Sequence, residues 1–194
     1  MEKLNINNKK IILGSQSPRR KELLSAMGLK FKVKKLNVEE SFPNSLSPIQ
    51  IALFLAKKKA NAYKIKHNEL LICADTIVYK RRDILGKPRS KKEAIKMLTK
   101  ISNKQHYVVT GVNLKTEEEE VSFYEKSIVE FKKLSKSEIL FYVNNYNPLD
   151  KAGGYGIQDW IGLIGVKKIS GSFYNVMGLP TVKIYENILK LKNK

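Results

Sequence analysis

Short apolar runs along the chain alternate with longer stretches in which apolar residues recur at helical spacing. Two runs rich in branched residues, at 10–14 and 70–79, predict buried strands, the second of them central in a sheet. The segments at 107–114 and 121–131 predict two long paired strands. A weaker alternation at 31–38 predicts a further strand.

Four helices are predicted to begin at a serine, a residue type that caps a helix start through its side-chain oxygen. Two of these serines precede a proline, which suits the first helical position, and two precede a glutamate by three residues, the spacing of a capping box. The four serines are Ser17, Ser47, Ser90 and Ser135. A closing helix is predicted at 185–191, and a strand or short hairpin at 157–169. Because strands and helices alternate, the chain is predicted to be α/β with a mixed sheet.

Composition narrows the class of protein. The 194 residues include one cysteine, so an intramolecular disulfide framework and a cysteine-rich zinc site are excluded, and a reducing, cytoplasmic location is expected. We interpret Cys73 as a small buried thiol in the core. The longest apolar stretch, at 51–56, is far short of the roughly 20 residues that cross a bilayer, so no membrane partner is expected.

The formal net charge of +19 could attract nucleic acid, an anionic membrane or a small anionic substrate. Lysine supplies most of this charge and is spread over the whole chain. Polynucleotide-binding surfaces usually cluster arginine or interleave aromatic residues with the cations. We therefore interpret most of the charge as solvated surface, and the sequence disfavours a nucleic-acid partner.

The first candidate motif lies where the strand at 10–14 leads into a helix. Two hydroxyls, Ser15 and Ser17, and two guanidiniums, Arg19 and Arg20, surround the helix start, where backbone N–H groups favour anions. This arrangement suits a polyphosphate. The alternative is that Ser17 only caps the helix and that the arginines are surface residues. The motif is neither a Walker loop nor a dinucleotide-binding glycine loop.

A second candidate is Asp75, an acid inside an apolar strand. Burial of a carboxylate is costly unless a cation or metal meets it. Glu39 and Glu40 follow an earlier predicted strand, and carboxylates converging with Asp75 could hold Mg²⁺ with phosphate completing its shell. For the two glutamates alone, a solvated strand end is the favoured interpretation.

Two lysines and a glycine-rich loop complete the candidates. Lys59 has the helical spacing of the buried side of its helix, so its cation needs an anionic partner. Lys87 precedes a proline in a turn, and the loop at 148–158 carries an acid, a base and the amide of Gln158. Glycine lets a backbone approach a ligand closely, although both segments could be ordinary turns.

Taken together and in this order, these segments resemble the Maf family of nucleoside triphosphate pyrophosphatases, which is structurally related to the inosine triphosphate pyrophosphatases. The resemblance covers nearly the whole chain. The residues that carry it are 15–24, 38–40, 59–60, 74–76, 86–88, 93–94 with 97–98, 110–112, 150–158 and 176–180.

The resemblance implies an elongated α/β fold in which a mixed sheet is flanked by helices. It implies one Maf-like domain over residues 1–194, with two lobes around a central active-site cleft, and allows a homodimer. The implied reaction is hydrolysis between the α and β phosphates of a nucleoside triphosphate, giving a monophosphate and pyrophosphate, with Mg²⁺ or Mn²⁺ as cofactor.

The resemblance also implies roles for individual residues. Asp75 matches the proton acceptor and Glu40 its partner acid, and both would bind the metal. Lys59 and Lys87 match lysines that face phosphate. The remaining matches are substrate-binding positions: Ser15, Arg19, Arg20, Thr76 and Gln158. Among these, Arg19, Thr76 and Gln158 favour the branch that acts on dTTP and UTP, including modified pyrimidine nucleotides.

Two alternatives remain at this stage. Within the enzyme class, the other branch of the family acts on 7-methyl-GTP, and Gln158 disfavours it. From another class, the chain could be a basic module that kept the fold but binds nucleic acid or a division partner. The presence of Asp75, Glu40, Lys59 and Lys87 together favours the enzyme, because a pure binding protein has little use for acids that face phosphate.

Overall fold

The computed structural model describes residues 9–192 and consists of a seven-stranded sheet flanked by helices. The strands are β1 (Lys10–Leu13), β2 (Phe31–Val33), β3 (Glu69–Lys80), β4 (Asp83–Leu85), β5 (Gln105–Lys115), β6 (Glu120–Phe131) and β7 (Val166–Ser170). The helices are α1 (Pro18–Ala26), α2 (Pro48–Asn61), α3 (Lys91–Ile101), α4 (Lys136–Asn145), α5 (Trp160–Gly165), α6 (Phe173–Met177) and α7 (Thr181–Lys192), with a 3₁₀ turn at Ala152–Gly154.

The sheet is mixed, which confirms the predicted fold class. Its strand order is β2-β1-β3-β5-β6-β7, and β4 pairs with β3 outside this path. Strand β1 is parallel to both of its neighbours, β2 and β3, whereas the β3–β4 and β6–β7 pairs are antiparallel. None of the helices within residues 9–192 combines the length and the hydropathy that crossing a membrane requires.

The described chain divides into two compact units. The first unit contains the described residues up to Asp75, the segment Thr110–Glu125 and the described residues from Gly178 onward. The second unit contains Thr76–Val109 and Lys126–Met177. Strands β3, β5 and β6 each begin in one unit and end in the other.

In the first unit, helix α2 packs unusually close to strand β5. A side-chain carbon on Gly111 would lie 2.4 Å from the backbone carbonyl of Ala52, so only glycine allows this approach. Ile51, Leu55 and Ala56 of the same helix are fully buried. The helix is thus fixed against the sheet, and its last turn carries Lys58 and Lys59.

In the second unit, three rings form the centre of a buried cluster. Phe131 stacks on His106 with centroids 5.7 Å apart, and Tyr155 meets His106 and Phe131 edge-on at 5.4 and 5.1 Å. The hydroxyl of Tyr155 lies 2.6 Å from Nε2 of His106. Because Tyr155 belongs to the glycine-rich loop, this cluster anchors that loop three residues before Gln158.

The predicted strand at 31–38 was too long. Pairing ends at Val33, although Lys34 still donates its N–H to the carbonyl of Leu13 at 2.9 Å. Beyond it, Leu36 turns inward and packs against the core residues beside Cys73. An apolar side chain that covers a core from an irregular segment produces the same weak alternation as a strand.

The predicted strand or hairpin at 157–169 was wrong in its first half. Residues 160–165 form helix α5. In its first turn, the N–H groups of Gly162 and Leu163 both donate to the carbonyl of Asp159. Only the second half forms a strand, β7. A short apolar run has no periodicity that separates a strand from one buried helical turn.

Helix starts were predicted more accurately than the other boundaries. Ser135 and Glu138 form the full capping box. At Ser90 the side chain caps the N–H of Glu93, but the Glu93 carboxylate accepts from the N–H of Arg89 instead of Ser90. Helix α7 begins at Thr181, four residues earlier than predicted, and α6 was not predicted.

Candidate active site

The predicted anion-binding loop lies between β1 and α1. Ser17 caps α1 by accepting the N–H of Arg20, and Pro18 occupies the first helical position. Ser15 bends back on the same loop, since its hydroxyl accepts the N–H of Ser17 at 3.2 Å. The two serines therefore shape the loop, and Arg19 lies half-buried in the first turn of the helix.

Arg20 is buried and ties this loop to two other segments of the first unit. Its Nε donates to the carbonyl of Gly178 at 2.9 Å, and one terminal nitrogen donates to the carbonyl of Ala74 at 2.7 Å and to the Ser15 hydroxyl at 3.2 Å. Burial lowers the pKa of the Arg20 guanidinium, and the nearby Asp75 carboxylate opposes this change. Since a guanidinium stays protonated in proteins, Arg20 keeps a positive charge beside Asp75.

Lys59 joins the two candidate acids. Its ammonium donates one hydrogen bond to Oδ1 of Asp75 and a second, of 2.8 Å, to Oε1 of Glu40. Asp75 is 7% exposed, whereas Glu40 is exposed. The prediction that Lys59 faces inward and needs an anionic partner is confirmed, and the partners are the two acids that the sequence singled out.

The neighbouring Lys58 explains how Glu40 reaches this position. Glu40 lies in an irregular segment beyond β2, and Lys58 holds the next residue, Ser41, by donating to its carbonyl and its hydroxyl, both at 3.1 Å. Two consecutive lysines at the end of α2 thus fix the segment that carries the acid. Sequence reasoning missed Lys58, because a run of lysines on a helix gives no sign of which ones have partners.

Cys73 lies in the core below the loop. It is fully buried, with Ala60, Ile12 and Leu71 around it. Burial raises the pKa of its thiol to about 12, against the opposing effect of Lys59 and Arg20. The thiol therefore stays protonated at neutral pH and is no nucleophile. The interpretation of Cys73 as a core residue is confirmed.

The donor set fits a hard divalent cation only with help from substrate. Within residues 9–192 no group of three or more His, Cys, Asp and Glu side chains is placed to hold a metal ion. Glu40 and Asp75 each place a carboxylate oxygen on the same ammonium. Mg²⁺ is commonly held by one or two carboxylates together with substrate phosphate and water, so these two acids suffice for a metal that arrives with a nucleotide.

The other candidate residues belong to the second unit. Thr76 follows Asp75 on β3 and is half-buried. Lys87 is exposed in the turn between β4 and α3, and the preceding carbonyl of Gly86 accepts the N–H of Gly153 at 3.0 Å. The turn that carries Lys87 is thereby tied to the glycine-rich loop.

Gln158 lies at the end of that loop, directly before α5. The residue is half-buried, but its side-chain oxygen Oε1 is buried and has no hydrogen-bond partner within residues 9–192. A buried acceptor without a donor costs free energy in a protein that holds no ligand. An N–H group would satisfy this oxygen.

The structure brings five of the predicted residues into one connected set of contacts in the first unit. These are Ser15, Arg20, Glu40, Lys59 and Asp75. The arrangement presents a buried carboxylate, a second acid, an ammonium and a guanidinium beside a helix N-terminus. It can bind a phosphate chain and can accept a proton from a water molecule held there.

The chain is similar in sequence to known proteins over nearly its whole length. The chain is 49% identical over 189 residues to a dTTP/UTP pyrophosphatase of Cytophaga hutchinsonii, covering 97% of this chain and 87% of that protein. It is 50% identical over 190 residues to a dTTP/UTP pyrophosphatase of Bacteroides thetaiotaomicron, covering 96% and 98%. Among solved structures, the Staphylococcus aureus Ham1 protein matches with 15% identity and a TM-score of 0.42, over 63% of this chain and 72% of that one.

The family assignment depends on the sequence relatives and on a family model. The model for Maf-like proteins matches residues 10–191, which is nearly the whole chain. The matched range contains the anion-binding loop, the two acids and the glycine-rich loop. The chain therefore belongs to the Maf-like protein family.

Proposed function

We propose that this protein is a nucleoside triphosphate pyrophosphatase that hydrolyses dTTP and UTP, together with modified pyrimidine nucleotides, to the monophosphate and pyrophosphate. The observation that carries the proposal is Lys59, which joins the buried Asp75 to Glu40 beside an anion-binding loop. The names of the relatives at 49% and 50% identity support the choice of substrate.

Asp75 acts as the proton acceptor in this proposal. Its carboxylate is buried and held in one orientation by Lys59, so it can take a proton from a water molecule that attacks the α-phosphorus. Such a positioned base typically contributes about a hundred- to ten-thousandfold to the rate. Glu40, from the other side of Lys59, keeps the ammonium in place.

Cationic groups stabilise the charge that develops on the leaving pyrophosphate. Lys59 lies beside Asp75, Arg19 lies in the first turn of α1, and we assign Lys87 the same role from its turn. Cations held in place before the reaction stabilise a transition state more than mobile ones, because no reorganisation is needed. Ser15 and Arg20 hold the loop that receives the phosphates.

Mg²⁺ or Mn²⁺ is the proposed cofactor, with Glu40 and Asp75 as its protein ligands. When bound, the cation would neutralise charge on the phosphate oxygens. Glu40 and Asp75 would supply carboxylate oxygens, the type of ligand that such a cation prefers.

Gln158 is the proposed base-recognising residue, with Thr76 as a further substrate contact. Uracil and thymine each present an N–H donor at N3 between two carbonyl oxygens, and the unpartnered Oε1 of Gln158 can accept from that N–H. Cytosine has an acceptor at the same position. The buried oxygen of Gln158 therefore favours uracil and thymine in this orientation.

The cellular compartment of the protein is also part of the proposal. The one cysteine of the chain is buried and reduced, which fits a reducing compartment. We place the enzyme in the cytoplasm, where its triphosphate substrates are formed and consumed.

A panel of nucleoside triphosphates incubated with the protein and Mg²⁺ tests the proposal, with products separated by anion-exchange chromatography. We expect monophosphate and pyrophosphate from dTTP and UTP. Diphosphate and orthophosphate would contradict the proposed bond, and preferred hydrolysis of 7-methyl-GTP would contradict the proposed base. Salt-sensitive binding to duplex DNA without hydrolysis would show that the protein is a nucleic-acid-binding module and not an enzyme.

A further inference from the structure

Tyr142 is a buried polar residue that the proposed chemistry does not use. It lies in the middle of α4, is 0% exposed, and its hydroxyl donates to Oδ2 of Asp159 at 2.6 Å. The same hydroxyl accepts the backbone N–H of Gly156 at 3.1 Å. One phenol therefore connects a helix to both ends of the segment 156–159.

Asp159 is packed directly against Gly156. Its N–H donates to the Gly156 carbonyl at 3.1 Å, and a side-chain carbon on Gly156 would lie 2.6 Å from Oδ2 of Asp159. Lys151 approaches the same carboxylate oxygen at 3.7 Å. Any side chain at position 156 would push the carboxylate away from the Tyr142 hydroxyl.

The protonation state of Tyr142 suits this role. Burial raises the pKa of its hydroxyl, and the hydrogen bond to Asp159 raises it further. The phenol is therefore a hydrogen-bond donor throughout the neutral pH range. A short bond from a neutral donor to a carboxylate is among the stronger hydrogen bonds in proteins.

Gln158 lies between the two anchored residues. Only Ile157, which is buried, separates it from Gly156, and Asp159 follows it directly. Its buried Oε1 has no partner within the described part of the chain, so no contact of that oxygen itself fixes its direction. Tyr142 binds the backbone N–H of Gly156 before Gln158 and the side chain of Asp159 directly after it.

We propose that Tyr142 and Asp159 form a clamp that positions Gln158, and that this clamp sets the preference for uracil and thymine over other bases. The inference rests on the proposed function, which it deepens. Tyr142 and Asp159 are positioning residues, because they act through the backbone of Gly156 and through Gln158 and not on the substrate.

Removal of either half of the clamp should loosen base selection without removing the acids and cations that act on phosphate. Tyr142→Phe deletes the hydroxyl, so the Gly156 N–H and the Asp159 carboxylate each lose their hydrogen bond to it. Asp159→Ala deletes the other half and leaves the Tyr142 ring in its core. Asp159→Asn keeps an acceptor for the phenol and serves as the conservative variant.

A matched control is present on the same helix end. Tyr146 follows the last residue of α4, stacks on the Tyr142 ring at 5.2 Å and is 38% exposed. Tyr146→Phe also deletes a tyrosine hydroxyl, but it leaves the clamp intact. We expect it to keep the wild-type substrate preference.

The experiment measures kcat and KM for UTP and CTP in the wild type and the four variants. We expect Tyr142→Phe and Asp159→Ala each to lower the ratio of kcat/KM for UTP to that for CTP by about tenfold, mainly through KM for UTP. Asp159→Asn should recover most of the ratio. A residue that only stabilises the fold would lower both kcat/KM values together and leave their ratio unchanged.

Each result separates the inference from the function on which it rests. If the wild type prefers UTP and neither Tyr142→Phe nor Asp159→Ala changes the ratio, the clamp is overturned and the pyrophosphatase stands. A wild type that hydrolyses UTP and CTP equally overturns the clamp together with the base preference assigned to Gln158, and leaves the pyrophosphatase reaction standing. A wild type that hydrolyses no triphosphate overturns both. If Tyr142→Phe does not fold, Asp159→Ala decides the question.

Discussion

Lys59 donates a hydrogen bond to Asp75, which lies 16 residues later at the end of the first unit's part of β3. The helix α2 that carries the lysine packs on the sheet through Gly111, so this pair depends on the close approach of a helix to a strand. Glu40 shares the same ammonium at 2.8 Å. A buried acid is therefore oriented by a cation that a second acid, which is exposed, also binds.

Asp75→Asn should abolish most of the turnover while the protein stays folded. The amide keeps the shape of the side chain but cannot accept a proton from water, so kcat should fall about a hundred- to ten-thousandfold. Steady-state hydrolysis of dTTP measures this. Asp83→Asn, which removes a surface carboxylate paired with Lys100 at 2.8 Å, is the matched control and should retain wild-type kcat. Near-normal turnover by Asp75→Asn would remove Asp75 from the mechanism.

Lys59→Met should lower the stability of the fold as well as the rate of hydrolysis. It removes the ammonium that is hydrogen-bonded to the buried Asp75 carboxylate, which should lower the free energy of unfolding by about 3 kcal/mol. Urea unfolding measures the change. The control is Lys58→Met, which removes the neighbouring lysine. Among the contacts described above, Lys58 binds only Ser41. The double variant Lys59→Met with Asp75→Asn should recover part of the loss, because the carboxylate that Lys59 binds is then removed together with the ammonium. Additive losses would show that the two side chains are not coupled.

His106 should make the protein less stable in acid. Burial lowers the pKa of His106 to about 4 from its ordinary 6.5. Between these values the unfolded chain binds a proton that the folded protein does not, so the free energy of unfolding should fall as the pH falls, by about 3 kcal/mol in all. Above pH 6.5 this contribution is fully present.

Chemical unfolding at a series of pH values measures this dependence. His106→Asn removes the titrating group and should flatten the dependence between pH 6.5 and about 4. His67→Asn, which replaces a histidine whose side chain is 77% exposed, is the control and should keep the wild-type curve. An unchanged curve for His106→Asn would assign the acid sensitivity to other groups.

Gly111→Ala should be far more harmful than Gly86→Ala. The added carbon at position 111 would meet the backbone of Ala52 at 2.4 Å, and a backbone in a packed helix cannot move aside cheaply. At Gly86 the added carbon would meet no atom within 4 Å. We expect a loss of about 1–3 kcal/mol in the free energy of unfolding at position 111 and little change at position 86. Equal effects would mean that the close packing of α2 on β5 does not matter for stability.

The long elements of this fold were predictable from the sequence, and the short ones were not. Strand β3 is a long apolar run, and helices α2 and α4 begin at clear serine caps, so their positions were predicted within a few residues. The segment at 157–169 is too short for its period to be read, and Gly162 decides its shape by letting a helical turn form against Ile157. That contact joins residues through the folded backbone, and a pattern of apolar residues does not contain it.

The residues of the candidate site also divide into those that the sequence predicted and those that it did not. Asp75 could be singled out because an acid in an apolar strand is unusual, and Lys59 because its helical position faces inward. The sequence did not show that Glu40 would share this lysine, since Glu40 comes from an irregular segment held by Lys58. The clamp of Tyr142 and Asp159 was also missed, because a tyrosine in an amphipathic helix looks like an ordinary core residue.

Hydrolysis of dTTP in water enriched in the heavy oxygen isotope, with mass analysis of the separated products, tests the central claim most directly. If water attacks the α-phosphorus under the control of Asp75, the label enters the nucleoside monophosphate and is absent from pyrophosphate. Label in the pyrophosphate would show attack at the β-phosphorus, and labelled orthophosphate would show cleavage of another bond. Either result would contradict the reaction assigned to Asp75, Lys59 and Glu40.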